Sequence, residues 1–326
     1  MEVHDRRIMA ERINFNMNEE YVVVIGGMNI DIAGLSGPVY REKDSNIGEV
    51  SINIGGVGQN IAQNLTKLET PTYLITVYGD DNFGKIAKME CAKNNIKLDY
   101  AEQMEGMRSS IYLYINDNEG DLVTAINDMK IVDFITPEFL ENKLDFINKA
   151  KIVVVDCNLS KETINWIGDN VTAPIFVDPV SVAKTDRIQE VLNKIDTLKP
   201  NEHEIQILTG IKVVDEESAK LAAEKLNELG VKNVFISLGA QGILCSRNGE
   251  IDVVRPMAKR IVSTNGAGDC TMATIVWSRF NYGDALPLKE VGLFTQAAAS
   301  INLESPCSVA PDLNVKNILY RAQENC

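Results

Sequence analysis

Histidine is nearly missing from this chain: 326 residues contain only His4 and His203. A Ser-His-Asp or Cys-His mechanism has almost nothing to work with, since His4 falls in a polar N-terminal stretch, so acid–base chemistry must rest on carboxylates. Cysteine is present but unpatterned. Cys91, Cys157, Cys245, Cys270, Cys307 and Cys326 form no C-x-x-C pair and have no histidine beside them, which excludes a zinc cage and a disulfide framework. No apolar run reaches about 18 residues and no signal-peptide core is visible, so the expectation is a cytoplasmic protein without membrane contact. Positive charge is also scarce. With 32 Lys and Arg against 46 Asp and Glu, the net charge is -14 and no basic cluster exceeds two residues, which argues against nucleic acid as a partner. An anionic small-molecule ligand would need a cation such as Mg²⁺, or backbone amides, to screen it.

What is present has the rhythm of an α/β protein. Short β-branched runs at Tyr21–Ile25, Tyr73–Tyr78, Ile152–Asp156, Ile175–Asp178, Thr197–Lys199 and Val234–Leu238 are of the kind that fill a parallel sheet. Amphipathic stretches alternate with them at Asn60–Leu68, Gly84–Asn94, Pro137–Ala150, Ser160–Asn170 and Glu216–Leu229. This pattern predicts one doubly wound, mostly parallel sheet flanked by helices over residues 21–326, after a flexible tail at 1–20. Segments near 33–54 and 109–127 break the rhythm with strands and turns only. They predict a small antiparallel layer, available as a lid or as the contact of a homodimer.

Motifs cluster just after strands. Ser263-Thr264-Asn265-Gly266-Ala267-Gly268-Asp269 opens an apolar helix; it is either a Gly-rich turn capped by Asp, or an anion cradle with a base beside it. Gly26-Gly27-Met28-Asn29-Ile30-Asp31 ends the first strand, and Asp31 reads as an acceptor for two sugar hydroxyls or as an Asx-type turn. Gly55-Gly56-Val57-Gly58-Gln59-Asn60 heads a helix, with Asn60 able to donate and accept. Lys199-Pro200-Asn201-Glu202-His203-Glu204 puts Asn201 and Glu204 on one helical face. They suit a hydrated Mg²⁺ or, equally, a capped helix start with Glu204 in a capping box. Ser237-Leu238-Gly239-Ala240-Gln241-Gly242 offers a nucleotide contact or a simple hairpin. Gly79 to Ile86 fits G-x-x-x-x-G-K through Lys85, but Ile86 stands where a P-loop needs Ser or Thr, and two Asp in the loop would repel phosphate. Cys270, at a helix start, is assigned to packing ahead of reactivity.

In this order and spacing, the motifs resemble those of the PfkB (ribokinase-like) carbohydrate and nucleoside kinases over residues 21–312. The resemblance implies a ribokinase-like fold with a β lid, ATP and Mg²⁺ as cofactors, and a small-molecule sugar or nucleoside as substrate. It implies that Asp269 is the catalytic base and that Gly266, Ala267 and Gly268 form the anion hole. Asn201 and Glu204 would position Mg²⁺ and phosphate, with Ser237, Gly239 and Gly242 at the ATP. Asn29, Asp31, Gly55, Gly56 and Asn60 would hold the sugar, and Asn127 and Asp128 the base or ribose. Within the family the chain most resembles the pseudouridine-phosphorylating branch, through Asn29–Gly34, Gly56–Leu65, Ala125–Met129, Asp156–Asn158 and Phe176–Ser181. Kinases of ribose, adenosine or inosine share every catalytic residue, and a non-catalytic nucleoside or nucleotide sensor is a rival of another class. One departure stands out: Ser263 replaces the first Asp of the usual D-T-x-G-A-G-D signature, which leaves a requirement for potassium open.

Overall fold

The computed structural model describes residues 20–324; the expected tail, apart from Glu20, lies outside the described residues. Its strands, numbered in chain order, are β1 Val22–Ile25, β2 Asn29–Ser36, β3 Gly48–Gly55, β4 Thr72–Ile75, β5 Val77–Gly79, β6 Glu102–Met104, β7 Ile111–Asn116, β8 Leu122–Asp128, β9 Ile152–Asp156, β10 Ile175–Asp178, β11 Thr197–Leu198, β12 Asn233–Ser237, β13 Ile243–Arg247 and β14 Glu250–Val254. Eight form the central sheet in the order β14-β13-β12-β11-β10-β9-β1-β4. From β4 to β12 every pairing is parallel, and only β13 runs against the others, pairing antiparallel with β12 and β14. The sequences Val-Val-Val-Ile of β1 and Ile-Val-Val-Val-Asp of β9 are buried throughout because helices cover both faces of the sheet. One face packs on helices Val57–Lys67, Ala267–Tyr282 and Leu288–Leu303. The other packs on Lys161–Asn170 and Glu216–Glu228. None of the described helices is long and apolar enough to cross a membrane.

The two rhythm-breaking segments form a separate four-stranded sheet, β3-β2-β7-β8. Its register places Asp31 between Asn53 and Tyr112, and Tyr112 opposite Asn127, so these polar side chains share one face. The next pleat carries Ile32, Ile52, Leu113 and Ile126 on the opposite face. There Ile52 and Ile126 are 52% and 62% exposed.

Two segments differ from the sequence expectation, and a third takes the hairpin reading. Tyr73–Tyr78 is two strands, because Val77–Gly79 leaves the central sheet to pair with Glu102–Met104. Pro137–Ala150 breaks into helices Pro137–Glu141 and Leu144–Asn148, and at the break Lys143 turns its ammonium inward to Glu102 (2.6 Å) and the Phe139 carbonyl (2.8 Å). The Gly239–Gly242 segment is the turn of the β12–β13 hairpin; Gly242 takes φ 101°, and a side chain there would collide with the Val254 carbonyl.

The loop resembling a P-loop is built for another purpose. Asp81 caps helix Asn82–Lys93 by accepting from the Gly84 amide (2.8 Å), and it also accepts from the Ser109 amide (2.9 Å) and hydroxyl (2.7 Å). A carboxylate already occupies the place where a P-loop would hold phosphate. Asp81→Ala strands three donors and is expected to lower stability by about 1–3 kcal/mol, measured by chemical denaturation.

Candidate active site

The site is built where β1, β9 and β10 end. β9 delivers Asp156 and β10 delivers Asp178 at the same level of the sheet. Asp156 is fully buried, and its Oδ2 accepts from the amides of Gly27 and Gly58, both at 2.8 Å, while Oδ1 accepts from Asn158 (2.9 Å). The backbone at Gly26 and Gly58 approaches so closely that a side chain at either position would meet the Asp156 carboxyl. These bonds tie the turn after β1 to the head of helix Val57–Lys67, which explains the glycines on both sides. Asp178 has a different partner. Its Oδ2 lies 3.3 Å from Lys199 Nζ, and both side chains are almost wholly buried. Burial opposes the ammonium charge, but Asp178, Glu204 and Asp269 outweigh it and hold the Lys199 pKa above its usual value.

Asp269 sits on the first turn of helix Ala267–Tyr282, where Asn60 Nδ2 donates to its Oδ2 at 2.8 Å. Burial, followed by the charge of Asp178, pushes its pKa up to about 7 against the opposing effects of Asn60 and Lys199. Asn60 Oδ1 is buried without a hydrogen-bond partner, an acceptor free for a ligand hydroxyl. Just before Asp269, Gly266 takes φ 73° with its backbone pressed on the Ser308 carbonyl, and no side chain caps the helix. The Ala267 amide donates to the Thr264 carbonyl over a long 3.4 Å, and no side chain competes for the other helix-start amides, which are available to an anion. Behind them, Lys199 Nζ lies 3.4 Å from where a side chain at Gly268 would begin. An anionic group fits this corner, with amides in front and an ammonium behind.

Across the site Asp31 is pushed up to about 6 by burial, against the lowering effect of its hydrogen bond from Asn29. Gly55 leaves room for its carboxyl, and Gly56, at φ 99°, packs on the Gly27 carbonyl and the Asn29 amide oxygen. A cavity of about 440 Å³ lies between the lid sheet and the strand ends. Of the expected residues, Asn29, Asp31, Gly56, Asn60, Asn127 and Gly266 line it. Asp269 stands behind Asn60. Asp128 is turned to the other face of β8, where it pairs with Arg108 at 3.4 Å. Residues that sequence reasoning did not single out complete the wall: Tyr112, Tyr114, Lys184 and Ser308, with Asn158 from the end of β9. The tyrosines had a signal, since β-strand alternation puts 112 and 114 together.

Asn201 and Glu204 meet as a capping box. Asn201 Oδ1 accepts from the amides of His203 and Glu204, and Glu204 Oε2 accepts from the Asn201 amide, all at 2.9 Å. Ser237 lies beside them, its amide donating a hydrogen bond to the Pro200 carbonyl (3.0 Å). Among the described residues no cluster of three or more His, Cys, Asp or Glu makes a metal cage. This donor set suits Mg²⁺ held through water and phosphate, the usual habit of that ion. Cys270 is buried, and burial raises its thiol to about 12, so it packs rather than reacts.

The side chains around the cradle loop are tied into local hydrogen bonds. The Ser263 hydroxyl accepts from the Asn265 amide (3.2 Å), and Asn302 bridges the adjoining loops by donating to the Asn265 carbonyl (2.9 Å) and accepting from the Ala310 amide (3.1 Å). Glu304, the one carboxylate in 302–310, is engaged by the Lys259 amide and Arg321.

Comparison with known proteins agrees with this geometry. The family model described as pfkB family carbohydrate kinase matches residues 19–313. The chain is 36% identical over 303 residues to the pseudouridine kinase of Escherichia coli, covering 92% of this chain and 96% of that protein. It is 27% identical to a ribokinase of Haemophilus influenzae over 86% of this chain and 92% of that one. The structure of Arabidopsis thaliana ribokinase complexed with ribose and ATP superposes with a TM-score of 0.80 at 24% identity, covering 94% of this chain and 99% of that one. Ribokinase from Thermotoga maritima gives 0.79 at 22% identity, over 93% and 99%. The chain therefore belongs to the pfkB family of carbohydrate kinases and has the ribokinase-like α/β fold. Its class is a sugar or nucleoside kinase, a phosphotransferase acting on a hydroxyl group.

The raised pKa of Asp269 has a consequence for stability. The folded protein holds this proton up to about pH 7 while an unfolded Asp releases it near 3.8, so stability falls as pH rises between those values. Asp269→Asn removes that burden. Its melting temperature is expected to exceed the wild type's by roughly 2–4 °C at pH 8, with the gap narrowing towards pH 5, in thermal scans across pH.

Proposed function

We propose that this protein is an ATP-dependent kinase that phosphorylates the 5′-hydroxyl of pseudouridine, giving pseudouridine 5′-phosphate and ADP. The observation that carries the reading is Asp269: a carboxyl with pKa near 7, hydrogen-bonded to a cavity-lining Asn60 and adjoining an uncapped helix start. Its pKa sits where a general base works best at neutral pH. The choice of pseudouridine is supported by 36% identity to the Escherichia coli enzyme over nearly the whole chain. A cavity of about 440 Å³ is also roomier than a free pentose requires, within the range of ligand pockets.

In this reading Asn29, Asp31 and Asn60 hold the ribose, and the 5′-hydroxyl donates its proton to Asp269. The 5′-oxygen then bonds to the γ-phosphorus of ATP as the bond from that phosphorus to the β,γ-bridging oxygen breaks and ADP departs. Charge on the transferring group is met by the amides of residues 266–268 and by Lys199 behind them. Mg²⁺, placed by Asn201 and Glu204 through water, would neutralise phosphate charge when bound. The lid sheet would exclude water during transfer.

An ADP-release assay with ATP and Mg²⁺ against pseudouridine, uridine, adenosine, inosine and ribose tests the proposal. The highest kcat/KM should fall on pseudouridine; a preference for ribose, or binding without turnover, would refute it. Asp269→Asn is expected to lower kcat by about 10² or more, and wild-type activity should climb as pH passes through about 7 and the base loses its proton. Lys85→Ala, in the helix capped by Asp81, should keep its turnover. A cytoplasmic homodimer joined through the outer face of the lid sheet belongs to the same proposal. Val50, Ile52 and Ile126 expose 73%, 52% and 62% of their surface there, and sedimentation at micromolar concentration should give the mass of two chains rather than one.

A further inference from the structure

Among the residues lining the cavity, one carries a positive charge: Lys184. Its Nζ donates to Asn158 Oδ1 at 2.5 Å, and that amide belongs to the loop leaving β9. The loop is fixed from two sides. Asp156 accepts from the Asn158 amide, and Arg187 Nη1 donates to the carbonyls of Cys157 (3.0 Å), Asn158 (3.1 Å) and Leu159 (2.7 Å). Lys184 is itself presented by an unusual turn. Val180, which also lines the cavity, takes φ 68°, a region that β-branched residues avoid, and the Ser181 amide closes on the Pro179 carbonyl at 2.7 Å. The Asp178 carboxylate holds this turn through the Val180 amide (2.9 Å), and the Ser181 carbonyl accepts from the Lys184 and Thr185 amides. Strain kept beside a cavity is usually kept for what it positions. Nothing in phosphoryl transfer as derived above uses Lys184 or Asn158.

We infer that Lys184, set by Asn158 and the Val180 turn, determines base specificity by donating a hydrogen bond to an exocyclic oxygen of the nucleobase. This rests on the nucleoside-kinase reading. The hydroxyl-handling groups, Asn29, Asp31 and Asn60, are gathered around Gly55, Gly56 and the head of helix Val57–Lys67, so the Lys184–Asn158 pair is left for the part of the ligand beyond the sugar. An ammonium donates and never accepts. Uracil presents two exocyclic carbonyl oxygens and hypoxanthine one, whereas adenine presents an exocyclic amino group and no oxygen. Lys184 thus favours oxo-bases and opposes adenine where its amino group takes the place of the oxygen, setting donor against donor.

The test is titration calorimetry of pseudouridine, adenosine and D-ribose with wild type and Lys184→Met, with a thermal scan of each protein. Lys184→Met is expected to weaken pseudouridine binding about 10-fold or more, the usual scale for a hydrogen bond to a charged group. Binding of adenosine and ribose should weaken less than threefold, and Lys184→Arg should restore part of the pseudouridine loss. Equal weakening of all three ligands would overturn the inference, because Lys184 would then act on the sugar or on the shape of the cavity. No weakening at all would overturn it too, with the kinase reading intact. A wild-type protein that binds ribose but no nucleoside would sink both together.

Discussion

Three carboxylates, Asp156, Asp178 and Asp269, share the buried end of one sheet, and how each is satisfied decides most of what surrounds them. Uncompensated charge in such a place costs several kcal/mol per ion, so each must find donors or keep its proton. Asp156 takes three backbone amides, and Asp178 takes the ammonium of Lys199 and the Val180 amide. Asp269 receives the least, a single side-chain amide from Asn60. Its neighbour Asp178 raises its pKa further, whereas the Lys199 charge opposes that rise. The residue with the poorest compensation has its pKa pushed up to about 7, so it can gain and lose a proton near neutrality, which is what the proposed base requires.

The same constraint explains the backbone. Amides can reach Asp156 only if no side chains intervene at Gly26 and Gly58, so the turn after β1 and the head of the adjoining helix are glycines facing one carboxyl. Asn60 is carried on the first turn of that helix, and its position relative to Asp269 follows from where Asp156 holds the helix start. Gly266 serves the other helix in the same way, by leaving space against Ser308 and by taking a left-handed φ. The cradle and the base are thus located by contacts that themselves touch no ligand.

Much of this was legible in the sequence because the residues involved are local and typed. Apolar runs marked the sheet, and glycines followed by Asp, Asn or Glu marked the strand ends. What stayed hidden depends on pairing partners. Nothing local distinguishes Thr72–Ile75 from Val77–Gly79; only the competing partner Glu102–Met104 pulls the second away. Asn127 and Asp128 read alike as residue types, but adjacent positions on a strand face opposite ways, so one lines the cavity and the other pairs with Arg108. Asn201 and Glu204 supported two readings, and the fold places both in a capping box beside Ser237, outside the lining of the cavity. Lys184 had no signal at all, because its place in the wall depends on a left-handed turn at a valine, which propensity argues against.

The two walls of the cavity also differ in how firmly they are held. The strand ends that carry Asp156 and Asp178 belong to strands buried along their whole length, whereas β3 and β8 of the lid sheet are exposed along most of theirs. Segments with few buried contacts open at lower free-energy cost than core strands. Phosphoryl transfer needs donors fixed before the ligand arrives, since reorganising them during the reaction would forfeit their electrostatic value. Substrate entry needs a wall that can move. Placing base, cradle and ammonium on the core side, and Asp31, Tyr112 and Asn127 on the exposed sheet, meets both demands. On the reading proposed above, a ribose bonded to Asp31 of the lid sheet and to Asn60 of the core side would bridge the two walls, so closure is favoured only when a hydroxyl-bearing ligand is present.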